Sequence, residues 1–149
     1  MSSPILLDTG PLGMVTHPGG PEDIDACQAW LATLLQQETR ILIPEIADYE
    51  LRRELLRAKK IESLARLDAL KQALEFLPLT TETMLVAAEC WAQALQAGKP
   101  TADPKSLDGD VILAAQALTL KSSVPPLVVT TNTGHLSRFV DAAHWRDFS

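Results

Sequence analysis

Four polar residues that lie far apart in the chain are candidates for one shared chemistry. Asp8 ends the apolar run Ile5-Leu6-Leu7, and Glu50 lies one to two turns beyond Ile43-Pro44 in Glu45-Ile46-Ala47-Asp48-Tyr49-Glu50-Leu51. Asp110 precedes the apolar stretch Val111–Leu120, and Asn132 follows Leu127-Val128-Val129-Thr130-Thr131. If these groups converge, their charges must be balanced. Two carboxylates about 5 Å apart at an effective dielectric near 20 repel by roughly 3 kcal/mol, a large fraction of a net folding stability of about 5–15 kcal/mol. Such a cluster either binds protons with raised pKa values or holds a divalent cation. All-oxygen donors suit Mg²⁺ or Mn²⁺, and the absence of paired His or Cys argues against zinc. Magnesium among carboxylates and water is a common setting for phosphate-ester chemistry.

Convergence depends on the elements that carry these residues. Ile5–Leu7, Ile41–Ile43 and Leu127–Thr130 are short continuous apolar runs that read as buried strands. Glu75–Leu79 is a candidate short strand that Pro78 limits to an edge or an end, and Ala142–Phe148 is a candidate last strand. Asp8-Thr9-Gly10-Pro11 reads as a turn, and His17-Pro18-Gly19-Gly20-Pro21 as a loop that opens a helix bearing Ile24, Cys27, Leu31 and Leu34. Ala47, Leu51, Leu55 and Ala58 form the stripe of a second helix, which breaks near Lys59-Lys60 before a third apolar face at Leu67, Leu70, Leu74 and Leu77. Thr80 or Thr81 caps a helix running to about Ala97, with Gly98 at its C′ position. Thr101–Leu107 reads as a loop, and Asp110 as the start and N-cap of the next helix. Alternating strands and helices predict an α/β fold of three layers, a parallel sheet of about four to five short strands between helices. In such sheets, polar residues at the strand C-termini line the ligand crevice, the edge that Asp8, Glu50, Asp110 and Asn132 would share.

Length and composition bound the possibilities. The 149 residues, 46% hydrophobic and 21% charged, predict a single globular domain over 1–149. A net charge of −6 should repel nucleic acid and anionic membrane, so a nucleic-acid function needs a local basic patch or a bound cation. One patch is available. Arg52, Arg53, Arg57, Lys59, Lys60 and Arg66 place 6 of the 13 basic residues in 15 positions, with Arg53 and Arg57 on the helix side that carries Glu50. We take Arg53, Arg57 and Lys60 as candidate phosphate contacts; the competing reading is a solvated helix face or an acidic partner. Aromatics make up only 5% of the chain, so stacking-based reading of single strands is poorly supported. Cys27 and Cys90 match no zinc or redox spacing and are expected as buried free thiols in a reducing, cytoplasmic setting. Trp30 and Trp91 read as core or dimer contacts. His17, His135 and His144 show no ligand spacing, His135 being notable for its place just beyond Asn132. The longest apolar runs, such as Met84–Ala88, have five residues, far short of the roughly 20 that span a membrane.

At these residues the sequence resembles the PIN domain, the ribonuclease fold of VapC-type toxins. The matching segments are Ile5–Gly13, Ile43–Leu55, Asp108–Ala117 and Val128–Phe139, in the family's order along nearly the whole chain. The resemblance implies metal-dependent hydrolysis of RNA phosphodiesters by Asp8, Glu50 and Asp110, with Asp8 and Asp110 holding Mg²⁺ or Mn²⁺ directly and Glu50 contributing directly or through water. Thr9 stands where the family usually has a hydroxyl, and Thr130 and Asn132 would tune the surrounding hydrogen bonds. Asn132 also departs from the pattern, since many members carry a fourth Asp there; the lost charge disfavours a second metal and leaves a one-metal or a two-metal site open, with Asp108 as a spare carboxylate. The family further implies a homodimer and a small antitoxin protein whose tail covers the site.

Two other readings follow from the same residues. Asn132 and the acidic net charge suit a catalytically weak PIN scaffold that binds RNA or a protein partner. A receiver-like phosphate-transfer domain also ends its first strand in Asp, but the paired acids before it and the strand-end Lys are missing.

Overall fold

The computed structural model describes residues 2–98 and 104–148. Five strands, β1 (Ile5–Leu7), β2 (Ile41–Pro44), β3 (Glu75–Leu77), β4 (Leu127–Thr130) and β5 (Ala142–His144), form one sheet in the order β3-β2-β1-β4-β5. Every pairing is parallel, with Ile5 opposite both Ile41 and Leu127. β1 is central, so the residue at its C-terminal end, Asp8, lies in the middle of the rim.

The triplets Ile5-Leu6-Leu7, Ile41-Leu42-Ile43 and Leu127-Val128-Val129 are apolar throughout because alternate side chains enter two different cores. Ile5, Leu7, Ile41, Ile43 and Val129 pack with Leu12, Leu31, Leu34 and Leu67, which come from α1 (Thr9–Thr16), α2 (Glu22–Gln36) and α4 (Ile61–Ala73). Leu6, Leu42 and Val128 face the other way, onto Ile46 of α3 (Glu45–Arg57), Leu113 of α6 (Pro104–Leu118) and Leu136 of α7 (Thr133–Leu136). α5 (Thr81–Gln96) packs outside α6 through Ala87, Cys90 and Ala94 against Leu107, Val111 and Ala115. Thr80 caps α5 by accepting from the Thr83 amide, and Gly98 follows with φ +67° in the left-handed region. Cys27 and Cys90 are buried free thiols, and burial pushes Cys27 up to about 11. Trp30 is core, donating its indole N–H to the Phe148 carbonyl at 2.7 Å, whereas Trp91 remains 42% exposed. Among the described residues no helix is long and apolar enough to cross a membrane.

Besides the last strand, which stops at His144 before a 3-10 turn over Trp145–Asp147, two elements differ from the sequence expectation. The segment after Asp8 is a helix, α1, and not a turn. Pro11 is harmless there, because the first backbone bond of α1 runs from the Leu12 amide to the Asp8 carbonyl and the Pro11 position has no amide bond to lose. The second difference is at α6, which begins at Pro104 in place of a loop to Leu107; residues 101–103 lie outside the described residues. Asp110 is therefore in the second turn of α6 and is not its N-cap, and Asp108 is an exposed helix residue without a capping or turn role.

Gln116 ties α6 to the sheet. Its buried side chain accepts from the Ile46 amide at 3.2 Å and donates to the Leu77 carbonyl at 2.8 Å. One amide thus satisfies backbone groups at the start of α3 and the end of β3, and fixes the helix of Asp110 against the helix of Glu50.

Candidate active site at the strand ends

Asp8 has two roles. As N-cap of α1 its Oδ1 accepts from the Thr9 amide at 2.7 Å, while Oδ2 accepts from the Thr130 hydroxyl at 2.7 Å. Thr130 is 1% exposed, and its Oγ1 also accepts from the Asn132 amide at 3.0 Å. Asp8 is thereby held between the ends of two neighbouring strands. The Thr9 hydroxyl donates to Glu50 Oε1 at 2.9 Å, linking the strand-end acid to α3 across 41 residues of sequence.

Asp110 approaches from α6 and is handled differently. Its Oδ2 is buried and lacks a hydrogen bond; His135 Nδ1 stands 3.5 Å away, too long to bond. Burial raises the Asp110 pKa to about 6, and the negative charges of Asp8 and Glu50 add to the rise, while His135 and Arg138 oppose it. Asp110 thus feels both of the other acids. His135 Nδ1 also stands 3.3 Å from Asn132 Nδ2, so the side-chain amide of Asn132 is turned toward the imidazole.

Asp8, Thr9, Glu50, Asp110, Thr130 and Asn132 therefore meet at one end of the sheet. Arg53 and Asp108 border it: with Ile46, Tyr49, Glu50, Gly109 and Ile112 they line a hollow between α3 and α6. The Arg53 guanidinium lies 5.0 Å above the Tyr49 ring, and its contact with Tyr49 favours the cation further. Arg57 and Lys60 stand apart from the site. Arg57 forks onto Glu54 at 3.0 and 2.8 Å, and Lys60 lines a separate hollow with Gly13, His17 and Leu55. Nor is the basic stretch a continuous strip, since Arg52 pairs with Asp48 and Asp68, and Arg66 with Glu62.

The donor set suits a hard divalent ion on chemical grounds: three carboxylates, one with a buried oxygen lacking a hydrogen bond. Among the described residues no three acidic, His or Cys side chains are drawn close enough to form a finished metal cage. Anions that repel one another rest apart until a cation offsets the repulsion. Two contributors escaped the sequence reading. Gln116 is hidden in an apolar run, and Gly109, which falls between the expected loop to Leu107 and the helix expected from Asp110, lies within α6 against the Glu50 carboxylate. The signal for Gly109 was a glycine immediately preceding the acid of a helix start.

A family model of the PIN domain matches residues 5–140. No curated protein matches the chain. Among solved structures, a chain of VapBC2 from Rickettsia felis bound to a DNA fragment from its promoter superposes with a TM-score of 0.70 at 19% identity, over 95% of this chain and 98% of the other. VapBC-1 from nontypeable Haemophilus influenzae gives 0.68 at 16% identity, over 95% and 98%. DNA-bound VapBC from Salmonella typhimurium gives 0.66 at 22% identity, over 97% and 99%. At these identities the structural likeness speaks for the fold alone.

Proposed function

The chain belongs to the PIN domain family, and from that premise we propose that it is a Mg²⁺- or Mn²⁺-dependent endoribonuclease, the toxin of a two-protein toxin–antitoxin pair. One observation carries the reading: acids from β1, α3 and α6 meet at the strand ends, with an Asp110 oxygen buried there without a hydrogen bond.

Asp8 and Asp110 are the residues to hold the ion, with Glu50 as a third or water-mediated ligand. A divalent ion bound there would neutralise the phosphate and lower the pKa of an attacking water. The protein's own part is orientation. Thr130 and the Thr9 amide fix both Asp8 oxygens, and the Thr9 hydroxyl fixes one Glu50 oxygen. Asn132, with its NH₂ turned to His135, presents a carbonyl oxygen that can accept from water. Arg53 stands beside Glu50 as the cation best placed to meet a phosphate.

The VapBC neighbours, named as two-component assemblies, support an antitoxin partner. Exposed Met84, Leu85, Trp91 and Leu95 on α5 support a homodimer. Asn132 favours a second reading, RNA binding without turnover.

The test is incubation of the purified protein with structured RNA in Mn²⁺, in Mn²⁺ with EDTA, and as Asp110→Asn. We expect cleavage in Mn²⁺ alone. Cleavage that persists in EDTA or in the variant overturns the metal assignment; salt-sensitive binding without cleavage in any metal selects the second reading.

A further inference from the structure

Gly109 occupies the interior of α6, one residue before Asp110, where glycine is the least favoured residue after proline. Its backbone conformation is not the left-handed one that calls for glycine. What the position does require is space. A Cβ there would stand 2.5 Å from Glu50 Oε2, 3.3 Å from Cδ and 3.5 Å from Oε1, so all three of its nearest neighbours belong to one carboxylate. Gly13, a glycine inside α1, sets the contrast: its Cβ would meet Leu51 Cδ1 at an ordinary 3.4 Å. The missing methyl of Gly109 is the recess in which the Glu50 carboxylate lies.

The carboxylate is therefore bonded at one oxygen and given room at the other. The Thr9 hydroxyl bonds Oε1 at 2.9 Å, and the bare backbone of residue 109 admits Oε2 against α6. We infer that Gly109 is a positioning residue, whose lack of a side chain sets how closely Glu50 approaches Asp110. This rests on the reading of Glu50 and Asp110 as partners in one metal centre. The atom that a methyl would strike is the end of a flexible side chain, so Glu50 swings aside and the backbone is left undisturbed. Gly109→Ala should therefore separate two properties that usually fail together, fold and site.

The experiment is a cycle of wild type, Gly109→Ala, Glu50→Ala and the double variant, read by Mn²⁺ calorimetry, thermal melting and the Glu50 carboxyl ¹³C resonance of the metal-free protein. Gly109→Ala should weaken Mn²⁺ binding by about 10–100-fold, while its melting temperature holds or rises by up to about 2–4 °C from the gain in helix propensity. In the Glu50→Ala background the same substitution should cost no further affinity. Wild-type affinity and an unmoved Glu50 resonance in Gly109→Ala would overturn the inference, as would an undiminished loss in the Glu50→Ala background. A melting temperature that falls with the affinity would also overturn it, because the methyl would then be deforming α6. If wild type binds no Mn²⁺, the metal reading fails, yet the Glu50 resonance still reports whether residue 109 sets that carboxylate's place.

Discussion

Both oxygens of Asp8 are engaged, Oδ1 by the Thr9 amide and Oδ2 by the Thr130 hydroxyl, whereas the buried Oδ2 of Asp110 lacks a hydrogen bond. The two carboxylates belong to the same site, but they arrive on different elements. Asp8 sits where β1 passes into α1, so a strand end and a helix N-terminus both offer donors. Asp110 is in the second turn of a helix whose amides are already committed to the i−4 carbonyls, and only side chains are left to serve it. Of these, His135 stays at 3.5 Å from Oδ2. One half of the site is thus a finished hydrogen-bonded frame, and the other retains an electrostatic deficit. A cation placed between them gains most from the unfinished half, so affinity should be controlled there and orientation on the Asp8 side.

The largest expected effect comes from erasing the deficit. Asp110→Asn should reduce Mn²⁺-dependent cleavage by ~10³-fold or more, and in EDTA it should make the protein more stable. The sign follows from the raised pKa. Between the ordinary value of 3.8 and about 6 the folded protein keeps a proton that the unfolded chain has lost, so wild-type stability falls as pH rises through that window. The amide carries no such penalty. Its advantage should be about 1 kcal/mol at pH 8, a figure reduced for the solvent that reaches the site; it should shrink through pH 6 and vanish near pH 4. Thermal melts of both proteins at the three pH values decide it. A wild type more stable than the variant at pH 8 would mean that Asp110 is well paired after all.

Damage to the finished half should look different. Thr130→Val keeps the shape of a side chain that is 1% exposed but removes the donor to Asp8 and the acceptor for the Asn132 amide. We expect a loss of about 1.5–3 kcal/mol in denaturant unfolding and a 10–100-fold fall in cleavage. Stability and activity fall together here, in contrast to Asp110→Asn. A variant that loses activity with unchanged stability would show that the Thr130 hydroxyl serves the substrate and not the frame.

Asn132→Asp adds charge to the unfinished half. A fourth carboxylate beside His135 should raise Mn²⁺ affinity several-fold and lower the metal-free melting temperature by about 2–4 °C, the equivalent of roughly 1 kcal/mol of added repulsion. Calorimetry with a paired melting curve checks both. Unchanged affinity would place residue 132 outside the reach of the ion.

The two halves also differ in how far the sequence revealed them. The frame was legible: an apolar triplet ending in Asp8 and a quartet ending in Thr130 mark two buried strands, and a parallel sheet gathers such ends at one rim. What that logic could not see was α1, because Asp8-Thr9-Gly10-Pro11 reads as a turn although Pro is free of penalty in a first helical turn. The α6 half was legible only in outline. Pro104 is a good first helical residue, but with Gly109 just before Asp110 the segment read as loop, and the helix was placed to begin at Asp110. The recess at residue 109, the Gln116 tether and the nearness of His135 to Asp110 all depend on contacts between helices distant in sequence, for which no local pattern codes. The pairing within the basic stretch was hidden for a related reason, since Arg52 finds Asp68 on α4.

The smallest effect tests which of the surviving cations belongs to the unfinished half. Arg53 borders the hollow that Glu50, Asp108 and Gly109 also line, and it is exposed. Arg57, one turn further along α3, is occupied by Glu54. A phosphate contact at the edge of the site should help bind RNA without touching the reacting atoms. Arg53→Ala should therefore raise KM about 2–5-fold at low salt with kcat unchanged, and reduce the slope of log affinity against log salt by about 1. Arg57→Ala should leave both at the wild-type value, because the charge it removes is already balanced. Equal effects for the two variants would mean that RNA senses the net charge of α3 and not a particular cation, and the hollow beside Glu50 would then lose its claim to the substrate.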